Sequence, residues 1–237
     1  MKPLALQPIL SNLAEAHGEL ARLFARIQFI VFGEVLDESV KELSEAVARD
    51  EENSPLDERA LFVSLAHVFR HLNFAWNCRH ESEEHVRRGD PADTARWSRF
   101  PEDAVFRDLW PAPSHCRGTS REPGRGHIAP SSLQAAFLHM AVRKLGSLRY
   151  IIAFALGDNA MKVPRPKGLR PGMENEPFTE EEFGRRMHRI YSEMNFAWAY
   201  RKRTNGERLS RWTVRQYGQF SSVFLSAETV ATVLGGR

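Results

Sequence analysis

The chain has 237 residues and only two cysteines, Cys78 and Cys116, far apart in sequence. That excludes a disulfide framework and a CxxC redox or metal motif, and it fits a reducing, cytoplasmic compartment. No apolar run approaches the roughly 18 residues of a membrane helix. The most apolar stretches, 27–35 and 148–156, read as the ends of buried helices, so neither a membrane span nor a signal peptide is expected. Strict alternation of apolar and polar residues is missing as well, which argues against strands. There is no P-loop, no dinucleotide fingerprint, no GxSxG elbow and no HExxH. Nothing in the sequence therefore names a catalytic nucleophile, a cofactor or a metal, and none of these is expected.

What is present is enough for a folded core: 42% hydrophobic residues, with 15 Phe and 5 Trp. The chain also repeats itself. The segment from Pro55 through Asn73-Phe74-Ala75-Trp76 to Arg79 aligns without a gap on the segment from Pro177 through Asn195-Phe196-Ala197-Trp198 to Arg201, an offset of 122. The same offset places Pro8, Ala14, His17, Leu23, Ile30 and Phe32 on Pro130, Ala136, His139, Leu145, Ile152 and Phe154. Windows 8–32 and 55–79 give 13 identities with their counterparts, against about three by chance. The expected fold is all-α: two tandem-duplicated helical units of about 110 residues, packed as a pseudo-twofold intramolecular dimer, because a self-complementary face survives fusion. The expected boundaries are 1–110 for an acidic first unit, 111–130 for a Pro, Gly and Arg linker, and 131–237 for a basic second unit.

Within the first unit, Ser11 can cap a helix to about Phe32, and Asp37 opens a short acidic helix. A Ser54-Pro55 start leads to a helix ending near His80, and Asp90-Pro91 and Phe100-Pro101 open two short ones. In the second unit a long helix covers about 132–156 with Gly157 at its end, and Thr179 with Glu182 makes a capping box for a helix to about Arg203. The counterpart of the acidic helix is a Pro- and Gly-broken basic loop, 159–172, and segments 208–219 and 226–234 complete the unit.

Charge is graded along the chain. Residues 1–60 hold 6 Lys and Arg against 12 Asp and Glu, whereas residues 117–237 hold 20 against 10; 27 of the 33 basic residues are arginine. Arginine pairs bidentately with phosphate and carboxylate, so the basic half is read as engaging a polyanion, most simply nucleic acid, an acidic protein surface or a larger nucleic-acid-processing complex. The contact residues would be Arg117, Arg121 and Arg125 in the linker, Lys162, Arg165, Lys167 and Arg170 in the basic loop, and Arg201, Lys202 and Arg203 at a helix end. The alternative explanation is that acidic and basic halves neutralise each other.

A stripe shared by both units combines Asn73, Trp76 and Arg79 with Asn195, Trp198 and Arg201. Either Trp fills the core while Asn and Arg tie it to neighbours, or the three line a groove with the indole as a stacking platform. His67 and His71 stand one helical turn apart, a spacing two metal ligands can use, but their counterparts are Arg189 and Glu193.

The run Arg79-His80-Glu81-Ser82-Glu83-Glu84-His85 resembles the loosely spaced Arg and His motif of the HEPN ribonuclease superfamily, over these seven residues. The resemblance implies an all-α dimer with the motif at its interface and metal-independent RNA cleavage. His85 would transfer the proton and Arg79 would steady the phosphate. No histidine follows Arg201, so a fused pair would carry one motif at most. Three readings thus stand: a non-enzymatic helical binding or scaffold protein with a polyanionic partner, a HEPN-like ribonuclease, and a purely structural protein-interaction subunit.

Overall fold

The computed structural model of the chain describes residues 3–33, 56–99, 101, 103, 130, 132–157, 163, 165, 166, 169–172, 174 and 176–199. The acidic segment after Asp37, Phe100 of the expected Phe100-Pro101 start, residues 111–129 of the linker and the segments 208–219 and 226–234 lie outside the described residues, as does Cys116.

Among the described residues the protein is all-α, with six helices and no strand. They are α1 (Leu6–Phe32), α2 (Glu58–Asn77), α3 (Glu83–Arg88), α4 (Pro91–Trp97), α5 (Ser132–Ala155) and α6 (Glu180–Ala199). None is long and apolar enough to cross a membrane. Local chemistry sets their ends. Asp57, not Ser54, caps α2, its carboxylate accepting from the Ala60 N–H at 2.6 Å. Ser82 and Asp90 cap α3 and α4 in the same way, and Thr179 accepts from the Glu182 N–H at 3.2 Å as the capping box requires. α1 starts six residues earlier than a Ser11 cap predicts, with Ala5 in the cap position. Pro8 fits in its first turn because its missing N–H would have had no helical acceptor there. Gly33 ends α1 with φ 75° and returns its N–H to the Phe29 carbonyl at 2.9 Å, a left-handed cap that a side chain would strain. Gly157, with φ 83°, lies just beyond α5 as expected.

α1 and α2 form an antiparallel hairpin, pinned where the Ala5 N–H donates to the Arg79 carbonyl at 2.7 Å. α5 and α6 form the second hairpin. The two pack together, α1 against α5 and α2 against α6, while α4 lies on α2. A single core runs through all four long helices: Leu13 and Leu20, Leu65 and Phe69, Leu138 and Leu145, and Met187 and Tyr191 are all fully buried in it. α1 buries Leu13, Leu20 and Ile27 along with Ala21, Ala25 and Gln28 on adjoining faces, the pattern of a helix covered on more than one side.

At the α1–α5 crossing, His17 lies against Gly146 and His139 stacks on Phe24 with ring centroids 5.2 Å apart and planes 2° from parallel. Arg149 Nη1 donates to His17 Nδ1 at 3.0 Å, so the proton of the neutral ring sits on Nε2. Burial, assisted by the Arg149 charge, pushes the His17 pKa down from 6.5 to about 4.

Two predictions follow from this crossing. A Cβ at Gly146 would stand 3.2 Å from His17 Nε2, whereas one at Gly18 meets nothing closer than the tip of Arg22 at 3.9 Å. Gly18→Ala should therefore gain the helical preference of alanine, about 0.5–1 kcal/mol. Gly146→Ala should lower the melting temperature, and His17→Ala in that background should recover part of the loss. The pH dependence is equally specific. In the folded protein His17 stays neutral down to about pH 4, while unfolded it binds a proton below 6.5, so stability falls as pH drops across that window, by up to about 3 kcal/mol. Burial lowers His71 and His188 too and adds to this slope. Urea unfolding of the wild type and His17→Leu at pH 7 and pH 5 checks it: the variant should lose less stability between the two.

Candidate functional site

The shared stripe lies on α2 and α6, and its described members point inward: Asn73 and Trp76 are fully buried, Asn195 is 3% exposed and Trp198 8%. They do not line a groove. Asn73 Nδ2 donates to the Ser98 carbonyl at 2.9 Å, and its Oδ1 accepts from the Tyr191 hydroxyl of the other hairpin. A buried amide with all sides occupied is a packing device. Tyr191 also stacks on Phe69, centroids 5.1 Å apart, and burial pushes its phenol pKa well up, so it stays a donor. Asn195 Oδ1 has no hydrogen-bond partner among the described residues; its counterpart of Tyr191 is Phe69, which has no hydroxyl.

Trp76 Nε1 donates to Asp103 Oδ2 at 2.6 Å. Above the indole, the Arg79 guanidinium lies 4.2 Å from the ring centroid. Its Nε donates to Glu180 at 2.6 Å, Nη1 to the Trp76 carbonyl at 3.0 Å, and Nη2 lies 3.4 Å from Asp103. His80 reaches the Glu180 carboxylate as well, 3.3 Å from Nε2, and the Pro3 carbonyl, 3.2 Å from Nδ1. Burial disfavours the charged form of Glu180, but the Arg79 hydrogen bond and charge outweigh it and hold its carboxyl below the ordinary range. This junction ties the end of α2 to the start of α6 and to the chain's beginning. It was not legible from the stripe alone, because Glu180 lies 101 residues from Arg79.

His85 sits elsewhere. Its Nδ1 is 3.0 Å from Glu81 and its Nε2 2.7 Å from Asp93, and its ring meets the Trp97 edge-on. Hydrogen bonds from the two carboxylates, Asp93 foremost, raise its pKa. Arg79 and His85 thus have separate partners, and no hydrogen bond or ion pair joins them.

Of the basic residues, Arg165 pairs with the largely covered Glu174 at 3.5 Å and Arg170 with the exposed Glu176 at 3.1 Å. Arg117, Arg121, Arg125, Lys162, Lys167, Arg201, Lys202 and Arg203 lie outside the described residues. Cys78 is buried with its thiol pushed up to about 12, a poor nucleophile. Among the described residues no three His, Cys, Asp or Glu side chains already converge as a metal cluster.

No protein-family model, curated protein or solved structure matches the chain.

The junction predicts its own energetics. Arg79→Ala should destabilise by about 1–2 kcal/mol, since it leaves Glu180 with only His80, takes a cation from Asp103, which keeps the Trp76 N–H, and removes the cover over the Trp76 indole. A thermal double-mutant cycle of Arg79→Ala with Glu180→Ala should return a coupling above about 1 kcal/mol; additive losses would mean the pair is surface decoration.

Proposed function

We propose that this chain is a helical binding or scaffold protein, built from two fused copies of one hairpin unit, whose basic C-terminal half engages a polyanion, nucleic acid before an acidic protein. The observation that carries the reading is the fate of the shared stripe. Asn73, Trp76 and Asn195 are spent inside the core and Arg79 on Glu180 and Asp103, so recognition is left to surfaces where the two halves differ. The largest such difference is charge.

Reciprocal contacts support the fused-pair architecture. His17 meets Gly146 and His139 meets Phe24, which are the same pair under the offset of 122 read in the two directions, as a twofold relation requires. Phe69 stacks on its own counterpart, Tyr191, as residues on such an axis do. The same relation assigns Arg79 and Glu180 to the counterparts Arg201 and Glu58.

The partner would be held through arginines that already pair weakly. Arg165 and Arg170 are 44% and 73% exposed, and exposed pairs contribute only about 0–1 kcal/mol. A phosphate backbone can replace Glu176 beside Arg170 with little loss, whereas Arg165 would have to leave Glu174, which is only 16% exposed.

Two measurements test these statements. Binding to short single- and double-stranded RNA and DNA should fall steeply between about 50 and 200 mM salt, and reversing Arg165, Lys167 and Arg170 to Glu should abolish most of it. Binding unchanged by the reversal removes this loop, and RNA cleavage lost in His85→Ala would transfer the assignment to the ribonuclease reading. For the architecture, Phe69→Tyr would offer Asn195 Oδ1 a hydroxyl matching that of Tyr191. Stability equal to or above wild type is expected; a loss above about 2 kcal/mol, the cost of an unpaired buried hydroxyl, would count against the twofold relation.

A further inference from the structure

Glu81, His85, Asp93 and Arg96 close a circuit of charged groups beyond the end of α2. His85 Nδ1 lies 3.0 Å from Glu81 Oε2 and its Nε2 2.7 Å from Asp93 Oδ2, while Arg96 Nη2 lies 2.9 Å from Asp93 Oδ1 and 3.5 Å from Glu81 Oε1. A neutral imidazole has one N–H and one lone pair, whereas both nitrogens here face carboxylate oxygens, which only accept. The arrangement is therefore that of an imidazolium, with two donors for two acceptors and two cations against two anions. Loss of the proton sets a lone pair against a carboxylate and leaves the circuit with a net negative charge.

What the circuit holds down is α4. His85 meets the Trp97 indole edge-on with centroids 5.4 Å apart, and the Arg96 guanidinium lies 5.7 Å from the same ring. Under this cover Trp97 packs edge-on against Phe74 of α2 and is 1% exposed. The other ties run from two amides of α2 to backbone carbonyls: Asn73 donates to Ser98 at 2.9 Å, and Asn77 to Trp97 at 2.9 Å and to Arg99 at 2.7 Å. Trp97 Nε1 adds nothing, having no hydrogen-bond partner among the described residues. A helix of seven residues that buries one side chain has little stability of its own, so the groups at its rim weigh heavily.

We propose that His85 is a pH-operated latch: as the imidazolium it locks α4 onto α2, and on losing its proton it lets α4 and Trp97 loosen from Phe74. No other group competes for the ring. On α3, Glu83 and Glu84 pair with Arg87 and Arg88, and at the start of α4 Asp90 is taken up by the Ala92 N–H. At the end of α2, Arg79 and His80 are committed to Glu180, and α1, pinned there by Ala5, carries no charge over Leu6 to Leu13. In the closed form the two carboxylates, Asp93 foremost, raise the His85 pKa above its ordinary 6.5. The latch thus acts at full strength below 6.5 and is lost as pH rises through the higher closed-form value. This direction is opposite to that of His17, whose burial penalises acidification.

Hydrogen exchange of the full chain, followed by NMR at about pH 6 and about pH 9 and corrected for the base catalysis of intrinsic exchange, tests the latch. The Trp97 and Ser98 amides should lose protection at least about threefold at the higher pH relative to amides in the middle of α2, in step with titration of the His85 ring. His85→Gln, which cannot take up the charge, should leave α4 weakly protected at both pH values, and His85→Lys, charged at both, should keep it protected. His80→Gln should respond as wild type does, because that ring faces Glu180 and Pro3. Equal α4 protection at the two pH values in the wild type, or a full response surviving in His85→Gln, would overturn the proposal.

Discussion

The helices α1 and α5 are each too apolar to be covered by a single neighbour, and that constraint shapes everything else. α1 must be covered by α2 on one side and α5 on another, so a hairpin by itself would leave Leu20, Phe24 and Ile27 partly in water. Docking of the two hairpins is therefore part of folding, not a later association. The polar groups caught in that interface follow from the same constraint. His17 accepts from Arg149, Asn73 receives the Tyr191 hydroxyl, and Arg79 is matched by Glu180, each supplied by the opposite hairpin. Buried groups that find partners only across the interface also fix how the hairpins align.

Much of the architecture can be read from sequence because it is periodic or local. The long helices α5 and α6 follow from apolar spacing and from Thr179, and α4 from Asp90-Pro91. The departures have local causes. Asp57 outcompetes Ser54 as the cap of α2, and Pro8 sits harmlessly inside the first turn of α1. The short helix α3 went unread although Ser82, two following glutamates and Gly89 mark its ends, because it buries no residue and so leaves no apolar period.

The candidate sites are less legible, and for a physical reason. A stripe of Asn, Trp and Arg looks the same in sequence whether it lines a groove or fills a core; burial decides, and Trp76 at zero exposure decides it here. Likewise the resemblance of Arg79 to His85 to a catalytic pair is a statement about spacing. In space the arginine serves an ion-pair junction and the histidine sits between Glu81, just before α3, and Asp93 on α4.

The covalent link between the hairpins holds them at a high effective concentration for one another. Because loop-closure entropy grows only logarithmically with length, lengthening the chain between α4 and α5 would cost little in closure entropy. Severing it would cost far more. Two separate fragments would carry the α1 and α5 faces as open apolar surface, and their pairing would become a bimolecular reaction that dilution undoes. The chain's tolerance of change is thus lopsided: generous in the length of its middle, strict about its continuity.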